Sequence, residues 1–163
     1  MTSRGNPAGS VRGSVDAAGL RIAVLASRFN ADITDRLLEG ALSCLREHGA
    51  VEGQVDVYRV PGAWELPQAA ARVSELGRHD ALIALGCVIR GETPHFQYVC
   101  EEANRGLGEV ARSSRVPLVF GVLTTDTREQ ARARAGQGPS NKGWEVAIAA
   151  LQMVALYRTL GER

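Results

Sequence analysis

The 163-residue chain is long enough for one domain with a substantial core, and its 45% hydrophobic and 23% charged residues are ordinary for a globular protein. A formal net charge of +1 gives no electrostatic reason to expect nucleic-acid or membrane binding, and no apolar run approaches the roughly 18 residues of a membrane span. The three cysteines form no CxxC pair and the first residues lack a signal-peptide core, so we expect a cytoplasmic protein without disulfides or a zinc site.

Residues 1–19 are rich in Gly, Ser and Ala and predict a flexible arm, which is a candidate for pairing with a neighbouring subunit. Residues 20–163 predict a single domain in which strands and helices alternate. The predicted strands are 20–26, 54–60, 80–89 and 116–123, and the predicted helices follow Asp32 and cover 68–76, 96–114, 127–135 and 142–160.

Helix ends are predicted from capping residues. Asp32 is expected to cap the first helix and Gly49 to end it, and Thr93 with Pro94 resembles an N-cap followed by proline at the first helical position. Because parallel strands need crossover helices, this order predicts an α/β fold, a three-layer αβα sandwich around a four-stranded parallel sheet of the flavodoxin-like type.

In such a sheet the carboxyl ends of the strands lie along one edge, where ligands bind. The strand ends here carry residues 27–30 (SRFN), 62–65 (GAWE) and 87–93 (CVIRGET), and the fourth strand contains Phe120. Two aromatic rings, an acid and a helix start suit a flat polar ring and a phosphate. Each residue also has a structural interpretation, since Phe29 can cover a helix end, Trp64 can be a hydrophobic staple and Phe120 can pack in the core.

His95 is the only histidine predicted at this edge, in the first turn of the third helix. An acid/base group beside a phosphate site indicates chemistry as well as binding, although a histidine there can be a simple surface residue. The GxxxxGK[ST], HExxH and GxSxG motifs are absent, and no GxGxxG follows the first strand.

Five ordered blocks resemble the 6,7-dimethyl-8-ribityllumazine synthase family, from about residue 20 to the end of the chain. They are SRFN (27–30), VPGAWELP (60–67), GCVIRGETPH (86–95), VFGVLTT (119–125), and RAG (134–136) with NKG (141–143). The resemblance implies condensation of 5-amino-6-(D-ribitylamino)uracil with 3,4-dihydroxy-2-butanone 4-phosphate to 6,7-dimethyl-8-ribityllumazine, phosphate and water. It implies no metal and no organic cofactor.

The resemblance also assigns residue roles. His95 is the implied proton-transfer residue, and Glu92, Thr93 and Arg134 bind the phosphate. Since the family often has an acid near the histidine at the position of Glu145, we further expect that Glu145 orients His95 and that Lys142 lies near the phosphate. The implied aminouracil-binding residues are Phe29, Ala63, Trp64, Glu65, Cys87, Val88, Ile89 and Phe120. Trp64 and Cys87 depart from the family's usual phenylalanine and threonine.

In this family the site lies between subunits of a pentamer, with Phe120 and Arg134 supplied by the neighbour. The assembly is open between single pentamers, paired pentamers and an icosahedral shell of twelve pentamers, and the short 136–141 linker favours the shell. An association with riboflavin synthase is also open. Two other classes remain: a flavin- or phosphate-binding protein without turnover, and a shell protein that has lost catalysis.

Overall fold

Strands and helices alternate along the computed structural model, which describes residues 13–161. The strands are β1 (Ile22–Ser27), β2 (Val55–Val60), β3 (Ala81–Ile89) and β4 (Leu118–Thr125). The helices are α1 (Ala31–Glu47), α2 (Leu66–Glu75), α3 (His95–Ser113), α4 (Arg128–Arg134) and α5 (Lys142–Thr159), and a short 3-10 turn, Ala63–Glu65, precedes α2.

The four strands form one parallel sheet in the order β2-β1-β3-β4. All of β1 is buried and β3 is buried except at Ile89, which is why both read as unbroken apolar runs. The edge strand β2 is more exposed and its sequence alternates. The predicted flavodoxin-like α/β fold is therefore confirmed.

Side chains from the two faces of the sheet form two apolar clusters. On one face Ile22, Val24 and Ile83 pack with residues of α1 and α5, such as Leu37 and Leu151. On the other face Ala23, Leu25 and Leu82 pack with residues of α2 and α3, such as Leu66 and Leu107. Successive strand residues serve opposite faces, and the three layers follow from that alternation.

Two helix pairs approach closely at glycines. A Cβ on Gly106 of α3 would lie 2.7 Å from side-chain atoms of Pro67, and one on Gly143 of α5 would lie 1.9 Å from the Leu37 carbonyl oxygen. The glycines therefore set how closely α3 lies to α2 and α5 to α1.

The start of α1 differs from the prediction. Its N-cap is Asn30, in the left-handed conformation with φ 60°, and Asp32 instead accepts hydrogen bonds from Arg128. The prediction that Asp32 caps α1 was wrong because a tertiary ion pair binds this carboxylate, a contact between distant parts of the chain.

The other element ends differ by one or two residues. α3 begins at His95 with Pro94 in the N-cap position, and Thr93 makes no capping hydrogen bond in the described structure. α2 starts at Leu66, two residues early, and β4 covers Leu118–Thr125 in place of 116–123. At α4, Thr127 accepts a hydrogen bond from the Gln130 N–H and is the N-cap.

Part of the predicted arm lies against the domain. Ala17 is fully buried and its N–H donates to the His48 carbonyl, and Gly13 lies so close to α5 that a Cβ would be 2.0 Å from the Gln152 carbonyl oxygen. Residues 1–12 lie outside the described residues, so the boundary between arm and domain at residues 19 and 20 stays a prediction. None of the helices within residues 13–161 is long and apolar enough to cross a membrane.

Candidate active site

A cavity of 590 Å³ lies at the carboxyl edge of the sheet. Its walls come from the ends of β1, β2 and β3 and from the first turns of α3. Most of the site residues predicted from the sequence lie here together: Phe29, Ala63, Trp64, Glu65, Cys87, Val88, Ile89, Thr93 and His95.

The loop after β1 presents Phe29 to this cavity. Two hydrogen bonds tie the loop to the end of β2, from the Arg28 N–H to the Val60 carbonyl (2.8 Å) and from the Phe29 N–H to the Pro61 carbonyl (2.9 Å). Phe29 is 72% exposed, so its ring is open to a ligand and is not part of the core.

The turn after β2 holds Glu65 in place. Glu65 Oε2 accepts a hydrogen bond from the Gly62 N–H at 3.0 Å, which fixes the carboxylate at the turn before α2. Trp64 beside it is half exposed. An anchored carboxylate and an open indole face can together hold the polar and flat parts of a ring-bearing ligand.

The end of β3 offers backbone groups. In the described sheet β3 pairs with β1 only as far as Leu85, whereas its pairing with β4 continues to Ile89. The Cys87 carbonyl accepts a hydrogen bond from Asn30 Nδ2 at 3.0 Å. Val88 and Ile89 line the cavity beyond the end of β1, and the Ile89 backbone, which faces away from β4, can meet the edge of a planar ligand.

The Cys87 side chain belongs to the apolar cluster on the α1 side of the sheet. Burial raises the pKa of the Cys87 thiol to about 11. At neutral pH the thiol is protonated, so Cys87 is suited to packing and is a poor nucleophile.

The start of α3 forms the lip of the cavity. Gly91, Thr93 and His95 line it and are exposed, and no side chain in the described structure caps the helix. The first N–H groups of a helix lack intrahelical partners and, with the helix dipole, suit an anion such as phosphate.

Arg90 fixes the segment that leads into α3. Its Nε donates to Asp126 Oδ1 at 2.7 Å, and its guanidinium carbon lies 4.5 Å from the ring centre of Phe96. This cation–π contact holds Phe96 in the cavity wall beside the helix start.

The remaining predicted residues lie outside the cavity of their own chain. Glu92 is exposed near its lip, and Phe120 is 39% exposed on the edge strand β4. Arg134 is exposed at the end of α4, where its Nη1 donates to the Gln130 carbonyl.

Glu145 and Lys142 form an ion pair of 2.8 Å at the start of α5. Within residues 13–161 of one chain no hydrogen bond joins Glu145 to His95. The expected orienting contact is therefore not made inside a single chain, where the carboxylate pairs with Lys142.

Sequence reasoning missed Phe96, Val99 and the Asn30–Arg128 contact at this edge. The apolar spacing of α3 could have indicated Phe96 and Val99, since residues three apart share a helix face. Nothing local could have indicated Arg128, which lies 98 positions from Asn30.

A larger groove of 1220 Å³ lies at the opposite edge of the sheet. It is lined by the ends of α2, α3 and α5 and by residues before β3 and β4, such as His79 and Pro117. It contains none of the predicted site residues, and ligands of open parallel sheets bind at the carboxyl edge, so the smaller cavity is the candidate active site.

The chain was compared with known proteins. The family model described as 6,7-dimethyl-8-ribityllumazine synthase matches residues 19–158. Among relatives of that name, the protein of Chlorobium phaeobacteroides is 51% identical over 91% of this chain and 96% of its own length. Those of Desulfatibacillum aliphaticivorans and Aquifex aeolicus are 49% and 47% identical, over 90% and 91% of this chain and 94% and 96% of their own.

The family match covers every strand and all but the last residue of α5, including the whole cavity described above. The identities extend over nearly the full length of each relative. On these grounds the chain is a member of the 6,7-dimethyl-8-ribityllumazine synthase family.

Proposed function

We propose that the cavity at the carboxyl edge is where this chain carries out the reaction of its family. The chain condenses 5-amino-6-(D-ribitylamino)uracil with 3,4-dihydroxy-2-butanone 4-phosphate to give 6,7-dimethyl-8-ribityllumazine, phosphate and water, the penultimate step of riboflavin biosynthesis. The observation that carries the assignment of the site is the convergence of residues from three separate segments of the sequence, at 29, 61–65 and 87–99, on one cavity.

The aminouracil would bind between Phe29, Trp64 and the end of β3. The exposed Phe29 ring suits stacking on the pyrimidine, and the backbone of the Val88–Ile89 segment, in which Ile89 faces away from β4, suits its polar edge. The turn with Ala63 and Glu65 would hold the ribityl chain. The Gly62 N–H already fixes the Glu65 carboxylate, so this acceptor is oriented before the ligand binds.

The phosphate would bind at the start of α3. The uncapped N–H groups and the Thr93 hydroxyl are donors there, and Glu92 contributes its backbone to the same turn. Phosphate leaves as an anion during the reaction, so donors fixed in advance stabilise charge as it develops.

His95 would transfer protons. Imine formation between the amine and the ketone, elimination of phosphate and ring closure with loss of water each move protons near neutral pH, the range in which imidazole exchanges them. His95 lines the cavity beside the proposed phosphate site and is exposed to it. Holding both substrates together would supply much of the remaining rate advantage.

A neighbouring subunit would complete the site. Phe120 and Arg134 lie outside the cavity of their own chain, both exposed, as expected for side chains that serve another subunit. Lys142, which is partly buried, and the exposed Glu145 form an ion pair at the start of α5 and are candidates for the same role. We propose a pentamer, with the shell favoured by the short linker between α4 and α5, and a cytoplasmic location on the grounds of cysteine usage.

The direct test is an absorbance assay of lumazine formation by the purified chain, with each substrate omitted in turn as a control. We expect an enzyme-dependent rate that needs both substrates. Binding of flavin or inorganic phosphate without acceleration would overturn the proposal and indicate a binding protein or a catalytically silent shell.

A further inference from the structure

We propose that Asn30 and Arg128 are positioning residues that hold the Phe29 loop over the cavity. They form, with Asp32 and the Cys87 carbonyl, a chain of hydrogen bonds that we call the Asn30 brace. The inference rests on the proposed function, because it concerns how the aminouracil half of that site keeps its shape.

The Phe29 loop needs support on the side that faces β3. Its backbone is tied to the end of β2 by the Arg28 and Phe29 N–H groups, but Phe29 itself is 72% exposed and gains little from packing. The opposite side of the loop is held by Asn30 Nδ2, which donates to the Cys87 carbonyl at 3.0 Å. The loop is thus fixed between β2 and β3, the two strands that flank β1.

Asn30 is suited to this place by its backbone as well as its side chain. It is the one residue other than glycine with positive φ in residues 13–161, at 60°, and asparagine tolerates this conformation better than most residues. The left-handed turn reverses the chain between Phe29 and the first turn of α1.

Arg128 fixes the Asn30 amide in its orientation. Arg128 Nη2 donates to Asn30 Oδ1 at 3.0 Å, so the amide oxygen is held and its Nδ2 is directed at Cys87. Arg128 Nη1 donates to both carboxylate oxygens of Asp32, at 2.8 and 2.9 Å, and this hydrogen bonding lowers the pKa of Asp32. An arginine can make such paired contacts because its guanidinium is planar and forked.

Through helix α4 the brace also links the Phe29 loop to the residue that we propose serves a neighbouring subunit. Arg128 is the first residue of α4, and Arg134, the proposed phosphate ligand of the neighbouring site, is its last. One helix therefore supports the Phe29 loop of its own cavity at one end and extends toward a neighbour at the other.

The first experiment compares Asn30→Gly with the wild type. Glycine keeps the left-handed backbone and removes only the amide, so the chain is expected to fold normally. We expect KM for the aminouracil to rise about tenfold, a change that corresponds to one lost polar contact, with KM for the butanone phosphate unchanged. Asn30→Asp, which cannot donate to the Cys87 carbonyl, should show the same selective rise.

A second readout does not depend on activity. Amide hydrogen exchange of Arg28 and Phe29 should become faster in Asn30→Gly and in Arg128→Gln, because the loop loses its hold on β3. Arg132→Gln is the matched control, since Arg132 lies on the same helix and reaches Asp32 only at 3.8 Å. It should leave both exchange and KM unchanged.

The two proposals fail in different ways. Unchanged exchange of Arg28 and Phe29 in Asn30→Gly would overturn the brace, whatever the activity of the wild type. If the wild type forms no lumazine, but Asn30→Gly shows the expected faster exchange of Arg28 and Phe29, the brace is supported and the proposed function is overturned. Equal effects of Arg132→Gln and Arg128→Gln would reduce the brace to a general effect of charge on α4.

Discussion

Arg134 lies outside the cavity of its own chain, yet the family resemblance assigns it to the phosphate. We predict that Arg134→Ala raises KM for the butanone phosphate by roughly tenfold or more, because a charge-assisted contact is lost, and that KM for the aminouracil changes little. Steady-state kinetics with each substrate varied in turn measures both. Equal saturation by the phosphate substrate in variant and wild type would remove Arg134 from the site.

Cys87 contributes to the cavity through its backbone while its side chain packs in the core. We predict that Cys87→Ala keeps KM for the aminouracil within about threefold and lowers the free energy of unfolding by about 1 kcal/mol, since a buried sulfur is removed. Denaturant unfolding and kinetics on the same preparation test this. A large rise in KM with unchanged stability would show that the thiol contacts the ligand.

At the scale of residues, sequence reasoning succeeded where a motif placed a side chain at a strand end. Phe29, Trp64 and His95 line the cavity as expected, because parallel strands end at a common edge. It failed for Asp32, whose partner Arg128 comes 96 positions later. A local capping rule cannot anticipate such a tertiary contact.

The helices carry a testable feature in the glycines of α3. A Cβ at Gly106 would lie 2.7 Å from Pro67 of α2, whereas one at Gly108 would meet only the end of the flexible Arg112 side chain at 3.4 Å. We predict that Gly106→Ala destabilises the protein by about 1–3 kcal/mol through overpacking, and that Gly108→Ala stabilises it by up to about 1 kcal/mol. Denaturant unfolding of the two variants measures both changes. Equal changes in the free energy of unfolding would contradict the close contact of α2 and α3.

The edge strand β2 carries Asp56, a carboxyl whose contribution to stability depends on pH. Hydrogen bonds from His79 and then from Arg21 lower the pKa of Asp56 below its usual 3.8. A carboxyl whose pKa is lower in the folded state stabilises the fold above its unfolded pKa, and this contribution is lost as the pH falls through the folded value.

We therefore predict that the wild type loses more stability than Asp56→Asn when the pH is lowered from about 5 to about 3. Unfolding in denaturant at a series of pH values measures the two slopes. Parallel slopes would show that Asp56 is not stabilised by these partners.

At the scale of elements, the strands and helices were predictable because buried parallel strands read as apolar runs and the helices between them have apolar residues at helical spacing. Their ends were less predictable. β4 was expected at 116–123 but covers Leu118–Thr125, because its pairing with β3 continues through Thr124 and Thr125, which sequence alone assigns to the next turn.

At the scale of the whole molecule, a single chain carries only part of the proposed site in its cavity, since Phe120 and Arg134 lie outside it. If a neighbour supplies them, two impaired variants can complete each other, and the gain is measured at a butanone phosphate concentration well below the KM of Arg134→Ala. We predict that His95→Ala and Arg134→Ala, refolded together, form about a quarter of their sites with both native residues and regain a corresponding share of activity. The control is each variant refolded alone and the two mixed afterwards. Activity of the co-refolded sample no higher than that control would contradict a shared site.

The assembly also marks the limit of sequence reasoning at this scale. Whether the proposed pentamer stays single, pairs or closes into a shell depends on contacts between subunits, and those contacts follow from relative orientation more than from motifs. The linker between α4 and α5 and residues 1–12 are the segments in which we expect the answer to lie.

His95, in the cavity at the carboxyl edge, is the residue that we propose moves protons in lumazine formation. The most direct measurement is kcat of His95→Ala against the wild type, at saturating concentrations of both substrates and with product followed by absorbance. We predict a decrease of roughly 10²-fold in kcat with phosphate binding retained, the low end of what general acid–base catalysis contributes. An unchanged kcat would contradict proton transfer by His95 and leave this residue a part of the binding site alone.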